Sequence, residues 1–190
     1  MIEKATKNTK KQEKIKTLIE DLRNESVSKV KSALDALEIL GEATLLRDII
    51  LAINTNELHS EKNNLIIEFL SSLKDTSCRE EIISILEDVS MHHYRQIVLS
   101  TIWNSPIDYS EYLDLFVKIA CEGNLIEVLD CLTIIENMEG PFEEEQLMEA
   151  KLILNNYTEN KQDSLPQKEQ LISEIALILR TIQLQLDIEE

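Results

Sequence analysis

The sequence predicts an all-α protein built from about four helical hairpins stacked on one another, with a further helix at each end. Three observations support this fold class. Leu and Ile supply most of the apolar residues and glycine occurs only 3 times, a composition that favours helices over strands. Short polar breaks divide the chain into segments of helical length. Apolar residues recur in these segments with a period close to 33 residues, which is typical of repeated helix pairs.

The elements can be placed in chain order. A first helix is predicted within residues 9–24, where the apolar residues fall on one face. The four hairpins are predicted over 27–40 with 44–55, 61–73 with 78–89, 93–104 with 109–122, and 125–138 with 142–157. A last helix is expected from Ser164 to about residue 187. The predicted organisation is therefore a flexible basic tail at 1–8, a repeat region at 9–158, and a linker with a C-terminal capping or association helix at 159–190.

The breaks within the hairpins contain residues that end or begin helices. Gly41 can adopt the left-handed conformation that closes a helix. Ser77 and Glu80 have the spacing of a capping box. Pro106 forbids a continuous helix, and Pro141 suits a first helical turn. These signals predict tight connections between paired helices.

The repeat is supported by six apolar columns that keep their register through all four hairpins. The first helices contribute the columns Ala33, Ile66, Val98, Cys131; Leu34, Ile67, Leu99, Leu132; and Leu37, Leu70, Ile102, Ile135. The second helices contribute Ile49, Ile82, Phe116, Ala150; Ala52, Ile85, Ile119, Ile153; and Ile53, Leu86, Ala120, Leu154. A single hairpin cannot bury such faces by itself, so neighbouring hairpins are expected to stack.

One segment resembles a known repeat. The stretch VKSALDALEILGEATLLRDIILAI, residues 30–53, has a Val-Lys opening, a Leu-Gly-Glu-Ala turn and a Leu-Leu-x-x-Ile-Ile helix. It is similar to a HEAT-like repeat of the phycobilisome-lyase type, whereas the later copies keep the apolar columns and lose the glycine turn. The resemblance implies a right-handed α-α superhelix, or HEAT-like solenoid, that binds another protein. It carries no catalytic residue across.

The charge of the chain is negative and unevenly spread. Residues 1–31 hold nine Lys/Arg against five Asp/Glu, and the remainder holds ten against thirty-one, within a net charge of −17. An acidic body disfavours nucleic acid, because phosphate binding depends on Lys and Arg. It suits a basic partner protein, and it also serves solubility. The lysine-rich start is interpreted as attracted to the acidic body, with contact to nucleic acid or an anionic surface as the alternative; its lysines are Lys4, Lys7, Lys10, Lys11, Lys14 and Lys16.

No apolar run approaches the length of a membrane span, and the lysine-rich start does not have the pattern of a signal peptide. The three cysteines include no CxxC pair, so a disulfide framework is not expected. The sequence therefore predicts a cytoplasmic protein.

The search for catalytic chemistry gives negative results. The scattered glycines exclude a phosphate-binding loop. His92 and His93 are adjacent and point about 100° apart on a helix, and Asp88 with His92 supplies only two ligands. Cys78 has no positioned base, and the acids at 143–145 suit a first helical turn. We expect no enzyme, no metal and no cofactor.

A partner-binding surface is predicted on the outer face of the second helices. If these helices line a concave side, a rotation of 100° per residue brings one set of acidic and apolar residues to the surface. The set is Asp48, Leu51, Glu80, Glu81, Asp114, Leu115, Glu149 and Leu152. Leucines ringed by acids suit a basic amphipathic segment. The alternative is that the leucines are covered by a terminal helix or belong to a helix buried on two sides.

The last helix carries two apolar stripes, of which one can close the stack. The second stripe, Leu177, Leu184 and Ile188, lies on nearly the opposite side. It predicts a homodimer through this helix, unless the helix packs back between repeats.

The function that follows is a non-enzymatic protein-interaction scaffold or adaptor. A narrower version is an acidic inhibitor or immunity-type protein that neutralises a basic partner. A HEAT-like lyase or chaperone subunit and a protein acting on nucleic acid have less support.

Overall fold

A computed structural model describes the chain over residues 2–160 and 165–189, and its side chains over 10–160 and 165–188. Every regular element in these ranges is helical, which confirms the all-α prediction. The helices are α1 (Ile2–Leu22), α2 (Val27–Leu40), α3 (Leu46–Ile50), α4 (Glu61–Ser71), α5 (Ser77–Glu87), α6 (Arg95–Ile102), α7 (Leu113–Glu122), α8 (Leu125–Glu136), α9 (Glu144–Asn160) and α10 (Pro166–Glu189). Short 3₁₀ turns lie at Ala43–Leu45, Val89–Tyr94 and Ser110–Tyr112.

The chain divides into two compact units, Met1–Tyr94 and Arg95–Glu190. Each unit contains two of the predicted hairpins. In the first unit α2 packs against α1 and α4, while α3 and the turn before it pack against α5. First helix therefore lies on first helix and second helix on second helix, as in neighbouring stacked hairpins.

The second unit repeats this arrangement and adds the last helix. Here α6 packs against α8, and α7 packs against both α8 and α9. Helix α10 lies against α8 and α9. Helix α7 is thus enclosed within its unit.

The six apolar columns form the core of the two units. Every column residue is buried except Ile67 and Ile153, which are partly exposed. The register read from the sequence therefore marks the buried faces of the helices. Gly41 also has its predicted role: it lies at φ 60° and ψ 30°, and its N–H donates to the carbonyls of Leu37 and Glu38.

Helix α1 begins earlier than expected. Residues 2–8 are helical where a flexible tail is expected, in keeping with the good helix formers Glu, Lys and Ala in this segment. The side chains of Lys4 and Lys7 lie outside the described residues, as do residues 161–164 with the expected helix start at Ser164. Lys11 forms an ion pair with Glu42, consistent with attraction of the basic segment to the body of its own unit.

The predicted helix at 44–55 is wrong in length, because α3 ends at Ile50. Buried Asn63 organises the loop that follows. Its amide nitrogen donates to the carbonyls of Asn54 and Glu57, each at 2.8 Å, and its amide oxygen accepts from the N–H of Asn54. These three hydrogen bonds pair backbone groups of the loop that helical hydrogen bonds would otherwise pair.

Two predicted caps are corrected. Helix α5 begins at Ser77 itself, and the N–H of Ser77 is satisfied by the Asp75 carboxylate rather than by a capping box with Glu80. Pro141 lies before α9, which begins at Glu144.

Candidate functional site

The predicted surface of the first unit is exposed as expected. Asp48 and Leu51 on and beside α3 are exposed, as is Glu80 on α5, while Glu81 is partly exposed. Arg47 joins the two helices, with its Nε 3.9 Å from Glu81 Oε1. The outer faces of α3 and α5 therefore form one surface, which carries acids and an exposed leucine.

Arg47 also binds the end of α5. Its Nη1 donates to Asp88 Oδ2 at 2.5 Å, and the second carboxylate oxygen of Asp88 accepts from the hydroxyl and the N–H of Ser90. The hydrogen bonds from Ser90, followed by the one from Arg47, lower the pKa of Asp88 to about 2. The Asp88 carboxylate is therefore engaged in a turn and an ion pair. These bonds lend no support to Asp88 and His92 as a pair of metal ligands.

A cavity of about 370 Å³ opens in the first unit where α2 ends and α4 joins α5. Its walls include the apolar residues Leu37, Leu46, Ile49, Phe69, Leu73 and Cys78. Charged residues at its edge are Glu38, Glu42, Lys74 and Asp75. Burial, aided by the charge of Asp75, raises the pKa of the Cys78 thiol, which keeps this thiol protonated near neutral pH. Sequence reasoning does not find this cavity, because it depends on how the turns of two hairpins pack.

The predicted surface of the second unit needs one correction. Leu115 is only 9% exposed, so the expectation that it reaches the surface is wrong. Its neighbours Leu113, Phe116 and Val117 are fully buried, because α7 is packed between α8 and α9. The alternative interpretation, a helix buried on two sides, is the one found. Asp114 is partly exposed beside it.

Helix α9 does present the predicted combination of apolar and acidic residues. Met148 and Leu152, one helical turn apart, are 65% and 52% exposed. Glu145 and Glu149 are exposed beside them. We call these four residues the α9 face. The side chains of Met148 and Leu152 are exposed to solvent beside two carboxylates. Together they form an apolar patch with an acidic margin.

The acidic charge is concentrated in the second unit. Residues 95–190 hold six Lys/Arg against nineteen Asp/Glu, a net charge of −13, whereas residues 1–94 hold thirteen against seventeen, a net charge of −4. Arg95, Lys151 and Lys168 are occupied inside the described part of this unit, where Lys151 donates to Gln183. Arg95 is paired with Glu127, and Lys168 donates to the carbonyls of Cys121 and Gly123 at the end of α7. The α9 face therefore lies in the part of the chain with the largest negative charge.

Glu127 is the central polar group of the second unit. It is buried, and it closes a capping box with Asn124 at the start of α8. Arg95 donates to it from Nε at 2.8 Å and from Nη2 at 3.1 Å. Burial, with the nearby charge of Glu127, raises the pKa of Asp130 to about 6. This arrangement joins α6 to α8 and gives Glu127 a structural role.

Helix α10 shows both predicted stripes. Ile172, Ile175, Leu179 and Ile182 are buried. Leu177, Leu184 and Ile188 are 63%, 57% and 82% exposed. The stripe predicted for self-association therefore lies in solvent.

Metal-ligating residue types, cysteines and helix lengths give three further observations. Within residues 10–160 and 165–188, no three His, Cys, Asp or Glu side chains are placed to hold a metal ion. Burial raises the pKa of the Cys121 thiol to about 11 and that of Cys131 higher still, so both remain protonated near neutral pH. No helix in the described part of the chain is long and apolar enough to cross a membrane.

Comparison with known proteins gives no relative to compare these residues with: no family model, curated protein or solved structure matches the chain.

Proposed function

We propose that this protein is a non-enzymatic interaction scaffold that binds a basic partner protein on acidic, apolar-containing surfaces of its second helices. The observation that carries the proposal is the α9 face, where Met148 and Leu152 are exposed beside Glu145 and Glu149. The surface formed by α3 and α5 has the same character around Leu51. We expect the protein to meet its partner in the cytoplasm, where thiols are kept reduced, in keeping with its three free cysteines.

The chemistry of the α9 face defines the partner. Burying Leu152 and Met148 removes apolar area from water at about 25 cal/mol per Å². The flanking carboxylates gain from Lys or Arg side chains at the edge of the contact, where charges act mainly on the association rate and on specificity. An amphipathic helix with basic flanks has both properties.

The architecture we propose for this function is a HEAT-like solenoid. The stacking of first helix on first helix and second helix on second helix in each unit supports it. Within each unit of such a repeat the second helices share one side, so their exposed residues are available to one partner.

A second candidate is an acidic inhibitor of a basic protein, such as a toxin or a nucleic-acid-binding protein. The concentration of charge in the second unit, −13 over residues 95–190, favours it. Such a protein would use the charge itself for affinity, so its complex should depend more steeply on salt than that of a scaffold that uses the α9 leucine.

The proposal is tested by affinity capture of the tagged protein from its own cell lysate, read by mass spectrometry. Glu149→Lys is compared with Glu136→Lys, which makes the same charge change at an exposed position on α8. Capture is repeated at low and at high salt.

We expect a basic protein that is captured by the wild type and by Glu136→Lys and is depleted with Glu149→Lys. Retention of that protein at high salt supports the scaffold, and its loss at high salt supports the inhibitor. Equal capture by both variants, or recovery of the bait without a partner, would contradict binding on the α9 face.

A further inference from the structure

The exposed stripe of α10 has the spacing of a helix–helix seam. Leu177, Thr181, Leu184 and Ile188 follow one another at intervals of four, three and four residues, and all four are exposed. This interval places them on one line along the helix. The line extends over roughly 17 Å at 1.5 Å per residue, and apolar side chains occupy three of its four positions.

The opposite side of α10 is anchored, so this seam is held in a fixed direction. Lys168 donates to the carbonyls of Cys121 and Gly123 at 2.8 and 2.7 Å. Tyr157 on α9 donates to Glu169 at 2.7 Å, and Lys151 donates to Gln183 at 2.6 Å. A seam that is already ordered loses little conformational entropy when it meets a partner.

The charges beside the seam are complementary to a reversed copy of themselves. At 100° per residue, Arg180 and Asp187 lie on the same side of the seam. They are two turns apart, about 10 Å along the axis, so they cannot pair within one helix. Arg180 forms no ion pair with any residue in the described part of the chain.

We propose that α10 associates with α10 of a second copy of this chain in an antiparallel pair. With the two-fold axis between residues 182 and 183, Arg180 of each copy lies about 3 Å along the helices from Asp187 of the second copy, within reach of an ion pair. Leu177 faces Ile188 across the seam, and Thr181 faces Leu184. The other side of the seam carries Ile178 and Gln185, which add no like charge.

A parallel pair fits less well. In that arrangement the residues beside the seam alternate between helices, so Arg180 faces Gln185 of the second copy and both ion pairs are lost. The antiparallel pair is isologous, which is the interface type of a closed two-fold dimer.

The salt dependence separates this dimer from binding of a basic partner. Each second unit carries a net charge of −13, so two copies repel each other and salt screens that repulsion. The dimer is expected to be unchanged or stronger at high salt, whereas a complex with a basic partner that is held mainly by charge weakens. The two proposals also concern different residues, so each can fail without the other.

Sedimentation equilibrium of the full chain from micromolar to submillimolar concentration is the first test. We expect a monomer–dimer equilibrium for the wild type and for Ile126→Gln. For Leu184→Gln we expect a dissociation constant at least about tenfold larger. Ile126 on α8 and Leu184 on α10 are similarly exposed, at 52% and 57%. A wild-type chain that stays monomeric throughout, or equal weakening by both variants, would overturn the proposal.

A charge exchange tests the antiparallel geometry. Arg180→Asp and Asp187→Arg should each weaken the dimer by about tenfold, because each turns two attractive pairs into repulsive ones. The double variant Arg180→Asp with Asp187→Arg should restore it. Failure of the double variant to recover affinity would contradict the pairing.

Cysteine cross-linking locates the two-fold axis. Leu184→Cys places the two thiols near the axis, where an oxidant should join them. The two thiols of Ile188→Cys lie roughly 16 Å apart along the helices, beyond the reach of a disulfide. Cross-linking of Leu184→Cys without Ile188→Cys, above the wild-type background, supports the antiparallel pair; cross-linking of both shows a parallel one, and cross-linking of neither excludes this seam.

Discussion

Arg95 and Glu127 form a two-point ion pair that joins α6 to α8, with donor–acceptor distances of 2.8 and 3.1 Å. The same carboxylate accepts the N–H of Asn124 at 2.8 Å. Gly123 is part of the arrangement, because a Cβ added there would lie 2.9 Å from Cβ of Glu127. The buried ion pair, the helix cap and the glycine therefore depend on one another.

Removing one member of this pair should be costly. Glu127→Ala leaves the Arg95 guanidinium without its carboxylate in a mostly buried position, and loss of a buried partner typically costs about 3–5 kcal/mol. Urea unfolding at neutral pH measures the change in the free energy of unfolding. Glu136→Ala, an exposed change on the same helix, should stay within about 0.5 kcal/mol of the wild type. A loss of about 1 kcal/mol or less for Glu127→Ala would mean that the pair behaves as a surface ion pair.

Leu115 and Leu152 should differ in how much their truncation lowers the stability of the protein. Leu115→Ala opens a cavity in the core of the second unit and should cost about 2–4 kcal/mol. Leu152→Ala changes a 52% exposed side chain and should stay within about 1 kcal/mol of the wild type. Thermal unfolding of both variants by circular dichroism provides the measurement. Equal melting temperatures for the two variants would place Leu115 at the surface after all.

The turn after α2 depends on the conformation of Gly41. At φ +60°, with no side chain or backbone atom closer than 4.0 Å to an added Cβ, the cost of Gly41→Ala is conformational and not steric. We expect a loss of about 1–2 kcal/mol for Gly41→Ala, and a smaller loss for Gly41→Asn because asparagine tolerates this conformation. Denaturant unfolding of the two variants gives the comparison, and an alanine variant as stable as the asparagine variant would contradict it.

Asp130 should make the stability depend on pH. Its pKa is raised to about 6 in the folded chain from the ordinary 3.8, so the folded state holds the proton more tightly than the unfolded state. The stability from this group is present below about pH 4 and is lost as the pH rises through about 6. Asp130→Asn should therefore stabilise the protein near pH 8, by about 1 kcal/mol once solvent screening of the half-exposed carboxyl is included.

Thermal melts of the wild type and Asp130→Asn across pH 4–8 test this expectation. The difference between them should grow with pH and should nearly vanish at pH 4. A constant difference over the whole range would show that Asp130 has an ordinary pKa.

The core was predictable because it rests on a repeated local pattern. Apolar residues at a fixed register, such as Leu37 and Ile102, are buried in each copy, and Gly41 adopts the conformation that its position requires. Exposure was harder to predict, because a rotation of 100° per residue assumes that a helix is buried on one side. That assumption holds for Leu152 on α9 and fails for Leu115, since α7 is enclosed by two neighbours.

The polar interior was only partly accessible from sequence. The spacing of Asn124 and Glu127 matches a helix cap and could have been found by that pattern. The partner Arg95 lies 32 residues earlier, and no local pattern connects it to Glu127. Asn63 is a similar case, because its bonds to the loop at 54–57 depend on where that loop returns.

The most direct test of the scaffold proposal measures how tightly the captured partner, in purified form, binds two variants. The two variants change similarly exposed apolar side chains on different helices. Leu152→Ser on α9 and Ile126→Ser on α8 each change a side chain that is 52% exposed. The proposal predicts that Leu152→Ser weakens binding at least about tenfold while Ile126→Ser leaves it unchanged. Equal affinities for the two variants and the wild type would contradict a partner site on the α9 face.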